Sequence, residues 1–209
     1  MKNLILIAVL YNASIFADYS NHKDSKVVID ELVNEHGFEE SYVINILKQA
    51  KKRKTALNSV ARPAEKTKTW DDYRAIFLKK KRISDGKKFI QNNITVLERA
   101  EKEFGVPKEV ITAILGVETD YGNIMGSYRV IDSLTTLGFD DPRRSKFFKS
   151  ELIQFFILTR ENNLDILKVK GSYAGAMGYG QFISSSYRAY AIDFDCLLYT
   201  SDAADEYSG

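Results

Sequence analysis

The stretch ITAILGVETDYG, residues 111 to 122, puts a glutamate, Glu118, in register with an apolar helical stripe. Ile111, Ile114, Leu115 and Glu118 stand at i, i+3, i+4 and i+7, one face of a helix. Pro107 suits the first helical turn, and Gly122 and Gly126 suit a chain that stops the helix and turns sharply. A carboxyl at the end of such a stripe is expected to face inward or into a cleft. Burial there disfavours the charged form, and the negative end of the helix dipole acts in the same direction. A carboxyl that keeps its proton near neutral pH is a general acid. The same spacing also fits a helix-end glutamate that reaches water or pairs with a nearby lysine.

A second stretch, GSYAGAMGYGQF (171 to 182), contains four glycines and two alanines. So little side-chain bulk lets backbone N–H and C=O groups approach a ligand closely. Ser172, Tyr173, Tyr179 and Gln181 add hydroxyls and an amide, while Met177 and Phe182 add apolar surface. That mixture suits a sugar, with its hydroxyls, acetamido groups and flat apolar faces. A flexible glycine-rich turn is the plain alternative. The pattern lacks the lysine and spacing of a phosphate-binding loop.

Two further stretches carry usable chemistry. Arg143 and Arg144 in DDPRRSKFF have forked guanidiniums that fit carboxylates; otherwise they open a surface helix after Pro142. Trp70 and Tyr73 in TWDDYRAIF can line a sugar subsite, although Trp70 reads more naturally as part of a core stripe.

The elements that must position these residues are helical. SKVVIDELVNEHGF and EESYVINILKQAKKRK read as amphipathic helices separated at Gly37, and residues 58–69 read as a linker carrying Pro63. WDDYRAIFLKKKRI follows, and then one long helix over SDGKKFIQNNITVLERAEKEFG. After the Glu118 helix come RVIDSLTTLGF and SKFFKSELIQFFILTRENN. A short helix over LDILKVK leads into the glycine-rich loop, and SSSYRAYAIDFD begins as a helix with serines available as caps. No strand-like alternation stands out, so the class is mainly α.

The chain has 209 residues, 44% hydrophobic and 12% aromatic, which is enough for one good core and a small second lobe. The net charge of +2 gives no general case for nucleic acid. The basic runs KQAKKRK (48–54) and KKKR (79–82) read as solvated helix faces, with binding of an anionic polymer as the rival reading. The start, MKNLILIAVLYNASIFADYS, has a basic Lys2, an apolar run from Leu4 to Leu10 and a small-residue cleavage site after Ala17. These are the parts of an export signal. No cysteine lies nearby to carry a lipid. Cys196 is the single cysteine, so no disulfide can form within the chain.

Taken together, ILGVETDYG, DPRRSKFF and GSYAGAMGYGQFISSSYRAYAIDFD resemble the lytic murein transglycosylases of the membrane-bound B type, in that family's order. The resemblance runs from about residue 25 to 195. It implies a lysozyme-like core after an N-terminal helical lobe, divided as 1–17 signal, 18–85 lobe and 86–195 core. It implies an exported, monomeric enzyme of the periplasm or cell envelope whose partner is the peptidoglycan glycan strand and not nucleic acid. No cofactor is required. Glu118 would be the only catalytic acid/base, cleaving the β-1,4 bond between N-acetylmuramic acid and N-acetylglucosamine and closing a 1,6-anhydro ring. Ser172 and Gln181 would hold the muramic acetamido group or ring substituents, and Tyr73 would lie near the cleavage point. Arg143 and Arg144 would contact the lactyl or peptide side, with Tyr179, Met177 and Phe182 shaping subsites. Asp120 is not expected to serve as a second acid.

The likeness stops after AIDFD. In the family a calcium loop opens here, with Asp193 and Asp195 at its first and third positions, but Cys196 stands where glycine should follow. The calcium site is expected to be vestigial. Residues 196–209 read as a foreign or read-through tail, with the C-terminal third of the enzyme missing. The rivals carried forward are a muramidase that uses water at C1 and a non-catalytic murein-binding protein.

Overall fold

Every residue from Val130 to Phe139 is buried, so one helix runs through the middle of the protein with no solvent face. The computed structural model describes residues 18–61 and 68–191. Among these, a 3-10 turn at Tyr19–Asn21 precedes α1 (Ser25–Asn34), α2 (Glu40–Gln49) and α3 (Lys54–Ala61). Next come α4 (Trp70–Phe77), α5 (Lys80–Asn92), α6 (Ile94–Phe104) and α7 (Lys108–Thr119). Strand β1 (Tyr128–Arg129) leads into the central helix α8 (Val130–Asp140), and α9 (Ser145–Glu161) follows. Strand β2 (Lys170–Gly171) and α10 (Ser184–Tyr190) complete the described chain.

The main core lies between α1–α3 on one side and α8–α10 on the other. Val28, Leu32, Val43 and Leu47 meet Ile131, Leu134, Leu137, Phe148, Phe155 and Phe156, all fully buried or nearly so. Close packing of α8 on α9 is permitted at Gly138, where a Cβ would stand 3.3 Å from the Lys149 amide. Ser145 Oγ also donates to the Gly138 carbonyl at 2.6 Å. Helices α5, α6 and α7 pack on one another and add only Leu97 to the buried apolar side chains among the described residues. The expected division at 85/86 falls inside α5, and α1–α3 share their core with α8 and α9.

Several local expectations are corrected. The long helix expected over 84–105 is two helices, broken at Asn93, whose side-chain amide donates to the Phe89 carbonyl. Asparagine competes with the helix for backbone partners in this way. LDILKVK makes only a turn at 166–168, because the Asp165 carboxylate accepts the Leu167 amide. The first three residues of α10 are its serines, and Ile183 occupies the cap position. Ser185 is held by the buried Glu151, which accepts from its amide at 2.9 Å and its hydroxyl at 2.6 Å. Trp70 is 73% exposed and is not a core residue, because α4 buries none of its side chains. The run 48–54 is not a continuous helix face. Its backbone leaves the helix at Ala50, and Arg53 turns in to pair with the fully buried Asp132. The export signal (1–17), the stretch 62–67, Asp193, Asp195 and the tail from 196 lie outside the described residues.

One buried contact gives a pH-dependent prediction. The Tyr19 hydroxyl donates to Asp140 Oδ2 at 2.6 Å, and the ring is 3% exposed. Burial, and then that bond, push the phenol well above its ordinary value of 10.0. The unfolded chain loses this proton near pH 10 while the folded chain keeps it. The stabilisation is therefore whole below about pH 10 and is lost as pH rises toward the folded value. Urea midpoints measured from pH 7 to 11 are expected to fall more gently for Tyr19→Phe than for the wild type, from a lower start at neutral pH. An equally steep fall in the variant would refute the assignment.

Candidate active site

Helix α7 starts after Pro107 and ends where Asp120 enters the left-handed region. Its buried face is Thr112, Gly116 and Thr119, which turn toward α5 and α6. Glu118 lies on the flank. The expected dry stripe around it is not found. Glu118 is exposed, and Val110, Ile114 and Val117 are 47%, 52% and 46% exposed on the side facing away from the buried residues. The physical reason is that α7 has packing partners on one side only among the described residues. Its other side is an open apolar trough of about 420 Å³ lined by Glu109, Val110, Ala113, Ile114, Val117 and Glu118. The carboxyl therefore stands at one end of an apolar trough, and burial within the chain does not desolvate it.

The backbone beyond Glu118 is unusual. Asp120, Tyr121 and Gly122 have φ of 52°, 61° and 90°, three consecutive left-handed residues, two of which carry side chains. At the two non-glycine positions such conformations cost about 1–3 kcal/mol each and persist where surrounding contacts impose them. The contacts are specific. The Tyr121 ring fills a slot between two helical glycines; a Cβ at Gly116 would lie 2.7 Å from it, and one at Gly86 only 2.5 Å from its hydroxyl. That hydroxyl donates to the Arg82 carbonyl at 2.9 Å, and Phe89 lies beside the ring at 5.6 Å. The Arg82 guanidinium pairs with Asp120 at 3.1 Å. Asp120 is thus held by an arginine on α5.

The glycine-rich loop is joined to this same turn. The Gln181 side-chain NH₂ donates to the Met125 carbonyl at 3.3 Å and the Gly178 carbonyl at 2.9 Å. Gly122 abuts the Tyr179 ring, where a Cβ would stand 2.3 Å away. Gly126, at φ +91°, lies so close to Gly171 and Ser172 that a Cβ would sit 2.1 Å from the Gly171 oxygen. Beside it β1 pairs antiparallel with β2, Tyr128 opposite Gly171. Ser172 Oγ accepts the Ala174 and Ala176 amides at 3.3 and 3.1 Å, which folds its own loop. Below, Ser133 Oγ on α8 donates to the Ser172 carbonyl at 3.4 Å. Residues 172–182 are therefore a fastened loop and not a flexible turn.

Of the residues singled out from the sequence, Ser172, Tyr179 and Gln181 are brought to the turn that follows Glu118. Phe182 stands on the same loop, 37% exposed, paired with Met177 through mutual backbone bonds of 2.9 and 3.1 Å. Met177 is 5% exposed, so its side chain is core. Tyr73 reaches the site indirectly. It packs on Phe77 at 5.3 Å, Arg82 lies over Phe77 at 5.5 Å, and Arg82 holds Asp120. The arginines stand elsewhere. Arg143 pairs with Asp141 and lines a second groove, of about 630 Å³, with residues of α1 and α9. Arg144 lies over Phe147 and Phe148 at 4.5 and 5.0 Å.

Sequence reasoning missed Thr119, Tyr121 and Arg82. Gly86 and Gly116, each inside a helix where glycine is costly, were the available signal for a large side chain packed against both. Among the described residues no group of three or more His, Cys, Asp or Glu side chains is placed to hold a metal ion. After Asp193 and Asp195 the next alternate position is Leu197, an apolar residue where a calcium loop needs oxygen, so these residues do not fit the ion.

The site combines an α-helical body, an exposed carboxyl beside an apolar trough at the end of α7, and a glycine-rich loop bonded to that helix end; this is the arrangement of a lysozyme-like domain. The transglycosylase SLT domain family model matches residues 21–196, and the chain belongs to that family. It is 40% identical over 186 residues to the membrane-bound lytic murein transglycosylase B of Escherichia coli, covering 85% of this chain and 52% of that one. The lytic transglycosylase SltB1 of Pseudomonas aeruginosa superposes with a TM-score of 0.82 at 45% identity, covering 87% of this chain and 60% of that one. Escherichia coli lytic transglycosylase Slt35, solved in complex with calcium, gives a TM-score of 0.78 at 40% identity, covering 84% and 56%. The chain thus spans about half the length of the curated relative it matches. No helix among the described residues is long and apolar enough to cross a membrane.

Proposed function

We propose that this chain acts on peptidoglycan glycan strands as a lytic transglycosylase, with Glu118 as its single acid/base. The observation that carries the reading is the placement of a free-standing carboxyl at the end of an apolar trough, on a helix end bonded to the loop bearing Ser172, Tyr179 and Gln181. A glycan lying in the trough buries the apolar faces of its sugars against Val110, Ile114 and Val117. It thereby removes water from the carboxyl that the chain itself leaves wet. Glu118 gives its proton to the bridging oxygen as the bond from C1 to that oxygen breaks, and N-acetylglucosamine leaves with a free hydroxyl. The acetamido oxygen of the muramic residue bonds to C1 in its place. The C6 hydroxyl then attacks C1, displaces the acetamido oxygen and returns its proton to Glu118. No water is consumed. A single carboxyl suffices because the substrate supplies the nucleophile, a recognised departure from paired-carboxylate glycosidases.

Ser172 and Gln181 are assigned to the acetamido group and ring substituents, Tyr179 and Phe182 to sugar faces, and Tyr73 to the approach to the bond. The Arg143 groove is assigned to the lactyl or peptide carboxylate. Residues 1–17 are assigned to export toward the periplasm or cell envelope, and calcium takes no part in any step. Mass spectrometry of muropeptides released by the full chain is expected to show 1,6-anhydro ends, lighter by one water than the hydrolysed form. Reducing ends would support a muramidase. Retention on sacculi without any cleavage would establish a binding-only protein instead.

A further inference from the structure

We infer that Thr119, the residue after Glu118, is a positioning residue that ties the catalytic helix end to the sugar-binding loop through its hydroxyl; this rests on the function proposed above. Thr119 is 1% exposed. Its Oγ1 accepts the Gly122 amide at 3.0 Å and lies 3.2 Å from two carbonyls, those of Leu115 and Tyr179. A hydroxyl has one proton to give. The Leu115 carbonyl already accepts from the Asp120 and Tyr121 amides at the helix end, whereas no other bond reaches the Tyr179 carbonyl among the described residues. The proton is better placed on Tyr179. The result is a relay from the Gly122 N–H, through the Thr119 hydroxyl, to the Tyr179 carbonyl.

The relay spans the three left-handed residues 120–122 and ends two residues before Gln181. It is the direct hydrogen bond from α7 itself to the 171–182 loop among the described residues; the Gln181 bond reaches only the loop beyond the helix. Loss of the hydroxyl leaves the loop and the Glu118 carboxyl each in place but frees their relative position. Misplacement on that scale lowers the chemical step more than binding.

The test compares Thr119→Val, which keeps the shape and removes the hydroxyl, with Thr119→Ser, which keeps the hydroxyl. In Thr119→Val, kcat on purified sacculi is expected to fall about 10-fold or more with KM changed less than about 3-fold. Thr119→Ser is expected to recover most of the rate. In parallel, hydrogen exchange at the Gly122 amide is expected to quicken about 10-fold in the valine variant and stay as in wild type in the serine variant. Should Thr119→Val fail to fold, Thr119→Ala is compared with Thr119→Ser at a temperature where both are folded. A valine variant with wild-type kcat, or a serine variant as slow as valine, overturns the inference. If the wild type cleaves nothing, the function proposed above fails, and the relay is judged on Gly122 exchange alone: exchange unchanged in Thr119→Val then overturns it.

Discussion

Glu118→Gln is expected to lower murein cleavage by about 10²–10⁴-fold, the usual contribution of a positioned proton donor and acceptor. The fold gives this variant unusual diagnostic value. Glu118 is exposed and makes no hydrogen bond or ion pair among the described residues, so glutamine takes its place without leaving a partner stranded. The melting temperature is expected to stay within about 2 °C, because surface substitutions away from packed features change stability by less than about 0.5 kcal/mol. Loss of rate with no loss of stability separates a chemical role from a structural one. Retention on sacculi is expected to survive, since the trough is built from Val110, Ala113, Ile114 and Val117. Glu118→Asp tests the same point by geometry. It keeps the carboxyl but withdraws it by one methylene, and positioning effects predict a large loss here too. A glutamine variant that cleaves sacculi at the wild-type rate would remove the acid/base from the mechanism altogether.

How far this site could be read from the sequence depends on the kind of contact involved. The helix ending at Thr119 was legible because Pro107 and Gly122 punctuate it and its apolar residues are periodic. The helical class was legible for the same reason, whereas the order of motifs around Glu118 was legible only through the resemblance to the lytic transglycosylases. Periodicity reports that residues share a face; it does not report which face finds a partner. Ile111, Ile114, Leu115 and Glu118 do lie along one side of α7, yet the buried side is Thr112, Gly116 and Thr119, two small polar residues and a glycine. A search for apolar stripes passes over such a face, because its burial comes from close approach and hydroxyl bonds and not from hydrophobic bulk. Trp70 illustrates the converse: a large apolar residue expected in the core is exposed.

The glycine-rich loop was legible as a candidate site, but its fastening to the rest of the fold was not. That fastening comes from residues far away in the chain, Met125, Ser133 and Thr119, each contributing a single bond to it. The three left-handed residues after Thr119 had no signal in residue type beyond Gly122. Their conformation is imposed by Tyr121 in its slot and by Arg82 on Asp120, both contacts reaching back to α5. Arg53 was read as one of a run of solvated basic residues, and only the three-dimensional fold shows that it turns inward.

That arginine belongs to the contact whose removal is expected to cost the fold most. Asp132, in the first turn of α8, is fully buried. Its Oδ1 accepts the Lys51 amide at 2.9 Å and Arg129 Nη2 at 2.6 Å. Its Oδ2 accepts Arg53 Nε and Nη2 at 3.0 and 2.6 Å and Arg129 Nε at 3.1 Å. One carboxylate thus joins the corner between α2 and α3 to the junction of β1 and α8, and Arg129 also donates to the Gln49 carbonyl at 2.9 Å. In Asp132→Asn the NH₂ group can accept none of these bonds and faces a guanidinium with like polarity. Breaking one partner of a buried ionic set costs about 3–5 kcal/mol. Both guanidiniums keep some contact with water, their side chains being 36% and 24% exposed, so the lower end of that range applies. For a chain of this size about 3 kcal/mol corresponds to a drop of about 6–12 °C in melting temperature. Asp132→Asn is expected to show that drop in a thermal melt while the muropeptide products, where formed, keep the same ends. Asp132 is remote from α7 in its contacts, so a change in product type would contradict its structural role. A melting temperature within about 2 °C of the wild type would show that the two arginines find water without cost, and that the corner is held by the apolar packing of α2 and α8 alone.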